Sequence, residues 1–271
     1  MNDVEIAKLA AKRGAGILLG YWENLGKDDA DLKARHDWVS RADRESEAAI
    51  VAAIHAHCPG DAILGEESGM TAGTTAGRTW IIDPLDGTSN YLQHFPFWSI
   101  SIALQINGET VAGVIYEPLR DLFFTAERGA GAFRGDARMH VSSQAAVEGS
   151  FLATGFPFRA QEYVESYVAI FTDIIRISKG VRRAGSAALD LAYTAAGVFD
   201  GFFEMHLAAW DVAAGALLVQ EAGGIVTDFS GGQRWMERGN IVGATPRVQE
   251  ELLRIIGRHV TEDDLDHRKG A

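Results

Sequence analysis

Two aspartates separated by Pro-Leu and followed by glycine stand in the run Trp80-Ile81-Ile82-Asp83-Pro84-Leu85-Asp86-Gly87-Thr88-Ser89-Asn90. The apolar residues ahead of them predict a strand that delivers two carboxylates to its end. Pro84 stiffens the backbone after Asp83, and Gly87 permits torsions that other residues resist. Asp83, Asp86 and the Leu85 carbonyl could therefore converge on one hard cation. Oxygen donors with no Cys or His beside them select Mg²⁺, Mn²⁺ or Ca²⁺ over zinc. The same Asp-Pro-Leu-Asp-Gly would also serve as a solvated turn. The apolar strand before it and the polar Thr88-Ser89-Asn90 after it are more than a plain turn requires.

Two further acidic features belong with this one. Ile63-Leu64-Gly65-Glu66-Glu67-Ser68 places adjacent carboxylates after another short apolar run. Close to Asp83 and Asp86 they would need a compensating cation, whereas alone they read as a solvated acidic loop. Downstream, His206-Leu207-Ala208-Ala209-Trp210-Asp211-Val212 opens an apolar helix with Asp211 in its first turn. A carboxylate there stabilises the positive end of the helix dipole. It could equally be a metal ligand brought in from the second half of the chain, with the helix N-terminus helping to hold phosphate.

The elements that must position these groups follow from periodicity. Apolar residues at helical spacing predict helices over 3–24 and 43–57, with a polar loop over 26–35 between them. Strands are expected at 80–82 and 99–106, and Asn107-Gly108 signals a hairpin into 111–116, continued by 122–124 and 131–133 as an antiparallel meander. Then come helices near 160–177 and 186–196, a strand over 198–204, a helix over 208–222 closed by Gly223-Gly224, strands at 225–227 and 241–244, and a helix over 247–257. We expect one domain over 1–271 with halves 1–145 and 146–260, and a fraying tail over 261–271.

Composition narrows the function classes. A net charge of −12 argues against a general nucleic-acid binder. It allows a phosphate substrate where carboxylates gather divalent cations, because the metal then inverts the local field. With 23% charged residues, no segment approaches the roughly 20 apolar residues that a membrane span needs. The first residues lack the pattern of a secretory signal, and the lone Cys58 has no internal partner, which predicts a cytoplasmic protein. The phosphate-binding run G-x-x-x-x-G-K-[ST] does not occur, so an NTPase is disfavoured.

Taken in order and spacing, Gly65-Glu66-Glu67-Ser68, the run from Trp80 to Asn90, and Trp210-Asp211 through Gly224 resemble the inositol monophosphatases, within the wider group of magnesium-dependent, lithium-sensitive phosphatases. The resemblance extends from about Asp37 to Gly243. Trp38 and Ser40 replace the usual Leu and Thr, and the lysine that often precedes them could only be Lys33, one place out of register. Thr154-Gly155-Phe156-Pro157-Phe158-Arg159 and Arg182-Arg183 resemble the bacterial branch.

The resemblance implies an α+β fold, a layered α/β/α/β/α sandwich of the sugar-phosphatase type, with a site between its halves. It implies that Glu66, Asp83, the Leu85 carbonyl, Asp86 and Asp211 hold two or three Mg²⁺, for which Mn²⁺ could substitute. Asp43 resembles the aspartate that partners the threonine, here Thr88, near an attacking water; as a local feature it reads as a helix N-cap. Asp43, Thr88 and Glu66 are thus the implied catalytic groups. Gly87 and Thr88 resemble phosphate-oxygen donors, and Gly185, Ser186, Ala187 and Glu204, with Asp211, resemble the pocket that grips substrate.

The expected reaction is hydrolysis of a phosphate monoester, myo-inositol monophosphate first, by a homodimer that binds neither nucleic acid nor membrane. Fructose 1,6-bisphosphate, adenosine 3′,5′-bisphosphate and histidinol phosphate are the alternative substrates. Ser89-Asn90-Tyr91 after Asp-Gly-Thr disfavours the last two, whose enzymes typically carry Lys there. A regulatory binding protein that retains the phosphatase fold is the alternative of another class.

Overall fold

Alanine-rich helical spacing over the first residues produces α1 (Asp3–Asn24), which packs against α2 (Leu32–His55). The computed structural model describes residues 1–24, 32–158 and 161–261. After the helix pair come β1 (Ala62–Gly65), β2 (Gly69–Thr71), β3 (Arg78–Asp86), α3 (Thr88–Leu92), β4 (Ser99–Ile106), β5 (Glu109–Glu117), β6 (Leu122–Glu127), β7 (Gly131–Arg134) and β8 (Ala137–Arg138). The remainder forms β9 (Phe151–Thr154), α4 (Val164–Ile175), β10 (Gly180–Arg182), α5 (Ala187–Ala195), β11 (Gly201–Met205), α6 (Ala209–Glu221), β12 (Ile225–Thr227), α7 (Trp235–Arg238), β13 (Asn240–Ala244) and α8 (Pro246–Ile256).

Two sheets result, an eight-stranded one in the order β2-β1-β3-β4-β5-β6-β7-β8 and a five-stranded one in the order β10-β9-β11-β13-β12. Strand alternation sorts their side chains into three cores. Trp80, Ile82, Ile100 and Ile102 pack under α1 and α2, while Ile81, Ala103 and Ile115 face α5 and α6 on the other side. In the second sheet Phe202 and Ile241 meet α5 and α6, and Phe203 and Val242 meet α4 and α8. The molecule is therefore the mixed α+β sandwich that was expected, layered α/β/α/β/α, with α5 and α6 as its middle layer.

Several local expectations need correction. α2 begins at Leu32, inside the stretch read as a polar loop over 26–35, because Leu32, Lys33, Ala34 and Arg35 are all strong helix formers whatever their periodicity. Asp43 consequently lies mid-helix and is no N-cap. The first sheet is not wholly antiparallel, since β1 pairs parallel to β3. The helix near 160–177 is a 3₁₀ turn at Gln161–Tyr163 followed by α4, and the strand over 198–204 is β11. Residue 160, the tail over 262–271 and the side chain of Lys33 lie outside the described residues.

The pairing of β3 with β4 explains the Asp-Pro-Leu-Asp spacing. Residues three apart on a regular strand point to opposite faces. Here Asp83 pairs with Ser101 and Asp86 with Ser99, so three steps on β3 oppose two on β4. That one-residue bulge returns both aspartates to one face, and Pro84, which has no N–H to leave unpaired, suits the disrupted ladder.

Candidate active site

The bulge aims both carboxylates at the middle layer, where α6 begins. Asp211, in the first turn of α6, accepts the Ala208 N–H at 2.6 Å and so caps its own helix. One carboxylate oxygen from each of Asp83, Asp86 and Asp211 lies within 4.8 Å of the other two. The neighbouring serines tie the layers together: Ser101 Oγ donates to the Trp210 carbonyl at 3.2 Å, and Ser99 Oγ meets Ser186 Oγ at 3.3 Å.

Each carboxylate is held in place. Asp83, 1% exposed, accepts the Leu85 N–H at 2.9 Å. Asp86 accepts Ser186 Oγ and, at 2.8 Å, the Ala188 N–H. Burial pushes the Asp83 and Asp211 carboxyls up, with further lifting by neighbouring acids including Glu66 and Asp86. Asp86 is also raised by burial, against the pull of its bonds to Ser186 and Ala188. Asp43, 4% exposed and with Oδ1 lacking a hydrogen-bond partner, is pushed up to about 8 by burial and then by Glu66, Glu67 and Glu47.

Converging buried acids that resist ionisation form a donor set suited to a cation, whose charge would remove the mutual repulsion. The donors are oxygens, which matches a hard divalent ion.

Asp83, Asp86 and Asp211 open onto a cavity of about 300 Å³, whose lining does not include Asp43. One wall carries Glu66, Asp83, Leu85, Asp86, Gly87 and Thr88; Gly185, Glu204 and Asp211 face them. Gly87 has φ 97°, a left-handed backbone that favours glycine, and a Cβ there would also sit tightly, 3.1 Å from the Phe97 carbonyl. Asn90 donates to the carbonyls of Phe97 at 2.6 Å and Ala184 at 2.9 Å, which locks the loop before α5 to α3. Thr88 Oγ1 donates to the Leu85 carbonyl at 3.1 Å, where a partnership with Asp43 was expected. Ser186 is buried behind the wall, caps α5 and bonds Asp86, and Ala187 follows it in the first turn.

Sequence reasoning gave no site role to three further residues. Arg183 lines the cavity, and its charge opposes the burial that pushes Glu204 up to about 8. His206 lines it from a left-handed backbone at φ 65°, which is uncommon for a residue with a side chain. Gly155 leaves the space that the Glu204 carboxylate fills, since a Cβ at 155 would overlap it. The adjacent pair Arg182-Arg183 just before Gly185 was a visible signal for the first; the other two depend on tertiary contact.

Among the described residues no helix is long and apolar enough to cross a membrane. Residues 2–261 match the inositol monophosphatase family. The Nus factor SuhB of Escherichia coli strain K12 is 44% identical over 250 residues, covering 92% of this chain and 94% of that protein. The crystal structure of extragenic suppressor protein suhB from Bartonella henselae superposes with a TM-score of 0.84 at 39% identity, covering 93% of this chain and 98% of that one. The inositol monophosphatase of Anabaena (Nostoc) sp. PCC 7120 gives a TM-score of 0.85 at 36% identity, with 96% and 97% covered. With the acidic cluster in the same fold and the match running over nearly its whole length, the chain belongs to the inositol monophosphatase family.

Proposed function

We propose that the chain is a Mg²⁺-dependent phosphomonoesterase whose first substrate is a myo-inositol monophosphate. The observation that carries this reading is the convergence of Asp83, Asp86 and Asp211 in a cavity that Glu204 borders. Mg²⁺, in two or three positions and replaceable by Mn²⁺, would supply an activated water and neutralise charge on the departing ester oxygen. Glu66, Asp83 and the Leu85 carbonyl would hold one ion, and Asp83, Asp86 and Asp211 a second. Asp43 would accept the proton of the attacking water, with Glu66 as the other candidate. Backbone N–H groups at Gly87 and Thr88 would donate to phosphate oxygens, and Thr88 Oγ1 would fix the Leu85 carbonyl through the bond it already makes. Ser186 would act through Asp86, while Gly185, Ala187 and Glu204 would form the pocket that grips hydroxyls of the polyol. The homodimer that the resemblance implies is part of this reading and is checked by light scattering.

Phosphate release from myo-inositol 1-phosphate, glycerol 2-phosphate, fructose 1,6-bisphosphate, adenosine 3′,5′-bisphosphate and histidinol phosphate tests it. The expected result is release that favours the inositol ester, stops with EDTA and falls with Li⁺. Preference for another ester would keep the metal mechanism and change the substrate.

Gly155→Ala should test the Glu204 assignment. Its Cβ would displace the Glu204 carboxyl, so we expect KM for the polyol ester to rise by up to roughly tenfold, the scale of a lost hydrogen bond, with kcat changed little. An unchanged KM in the folded variant would remove Glu204 from the pocket.

The name Nus factor carried by the enteric relative favours a second reading, a regulatory protein retaining the phosphatase fold. Such a role predicts a partner still retained in pull-down by an Asp86→Asn variant, and no phosphate release from any ester by the unaltered chain would make it the leading reading.

A further inference from the structure

Glu66 lies in the short connection between β1, which ends at Gly65, and β2, which starts at Gly69. Three backbone N–H groups fix that connection. The Glu66 N–H donates to the Ile82 carbonyl at 3.1 Å, one residue before Asp83 on β3. The next two N–H groups donate to the two oxygens of a single carboxylate: Glu67 to Glu47 Oε2 and Ser68 to Glu47 Oε1, both at 2.9 Å. Glu47 is 3% exposed. A side chain on Gly65 would put its Cβ 2.5 Å from Glu47 Oε2, so the glycine preceding Glu66 provides the room that this carboxylate occupies.

The brace and the site share one helix. Glu47 stands four residues after Asp43 on α2, one turn along the same face. The helix that carries Asp43 therefore also sets where the Glu66 connection sits. We propose that Glu47 is a positioning residue for the cation site, holding the connection after β1 so that the Glu66 carboxylate faces Asp83. The proposal rests on the reading of Glu66 as a metal ligand given above.

A carboxylate accepting two N–H groups makes charge-assisted bonds with both. An amide in its place has one acceptor oxygen and must turn donor hydrogens toward the other N–H. If Glu47 only stabilised the fold, its loss would cost the same whether or not residue 66 can ligate. If it positions Glu66, its loss should matter only while Glu66 is present.

A double-mutant cycle on the full chain separates these cases, with MgCl₂ as the probe and half-saturation read from isothermal titration and from the rise in melting temperature. Glu47→Gln is expected to raise the half-saturating Mg²⁺ concentration by roughly tenfold or more, the usual effect of losing a group that orients a ligand. In a Glu66→Gln background the same change should add less than about twofold. Gly65→Ala, which displaces the Glu47 carboxylate without removing its charge, should reproduce the shift, and it provides the measurement if Glu47→Gln fails to fold. Shifts below twofold in the folded single variants, or an equal further loss in the Glu66→Gln background, would overturn the proposal. A Glu66→Gln protein with unchanged half-saturation would overturn the metal-ligand reading of Glu66 and this inference with it.

Discussion

Asp86→Asn is expected to lower kcat on the preferred phosphate ester by about 10³-fold at saturating Mg²⁺, the rate equivalent of roughly 4 kcal/mol of lost transition-state stabilisation. KM should change far less. An amide keeps an oxygen that can meet a cation but not the negative charge that offsets it, so the loss falls where charge develops on the leaving oxygen. Asp211→Asn should behave alike, because the two carboxylates share one cluster. Asp86 also joins β3 to α5 through Ser186 and the Ala188 N–H, so melting curves of the variant are needed to separate chemistry from folding. Near-normal turnover by either folded variant would mean that the two-ion assignment is wrong.

The second large effect is a pH-dependent gain in stability from Mg²⁺. Asp43 and Glu204 have carboxyls raised to about 8, and burial raises Asp83, Asp86 and Asp211 as well. Below the ordinary carboxylate range, near pH 4, both folded and unfolded chains hold these protons and no penalty arises. Above it the unfolded chain ionises freely while the folded one resists, so the metal-free protein loses stability as pH climbs toward about 8. A bound cation replaces those protons and cancels the penalty. The rise in melting temperature on adding Mg²⁺ should therefore be larger near pH 8 than near pH 5.5, by on the order of 10 °C. Acids held low, such as Asp228 with its bonds to Ser230 and Gly232, lose their contribution only as pH falls through the lower carboxylate range and leave this window unaffected. A larger Mg²⁺ effect at the lower pH would contradict the acidic-cluster reading.

Asp83, Asp86 and Asp211 were legible because each sits in a local pattern, a strand end or a helix start, that carries its own physical meaning. The hairpin at Asn107-Gly108 was equally local; both residues take positive φ, 53° and 82°, as that turn demands. What escaped was set by pairing at a distance. The Asp-Pro-Leu-Asp segment looked like a turn after a strand, yet β3 continues through Asp86, and only its register with β4 reveals the bulge. β9 and β10 are four and three residues long, too short to show a period, and the parallel pairing of β1 with β3 has no local signature. Glu47 illustrates the same limit: nothing at position 47 in the sequence tells that its carboxylate will meet the N–H groups of Glu67 and Ser68.

The middle layer of helices has a consequence for how the protein is made. β3 leaves the ribosome with Asp83 and Asp86 long before α6 brings Asp211, an interval on the order of ten seconds at ordinary rates of synthesis. A first sheet formed within that interval would present Ile81, Ala103 and Ile115 on a face that α5 and α6 have yet to cover. A nascent chain at this stage has two of the three clustered acids and an open apolar surface, so its period of greatest aggregation risk comes during translation, before the site is complete.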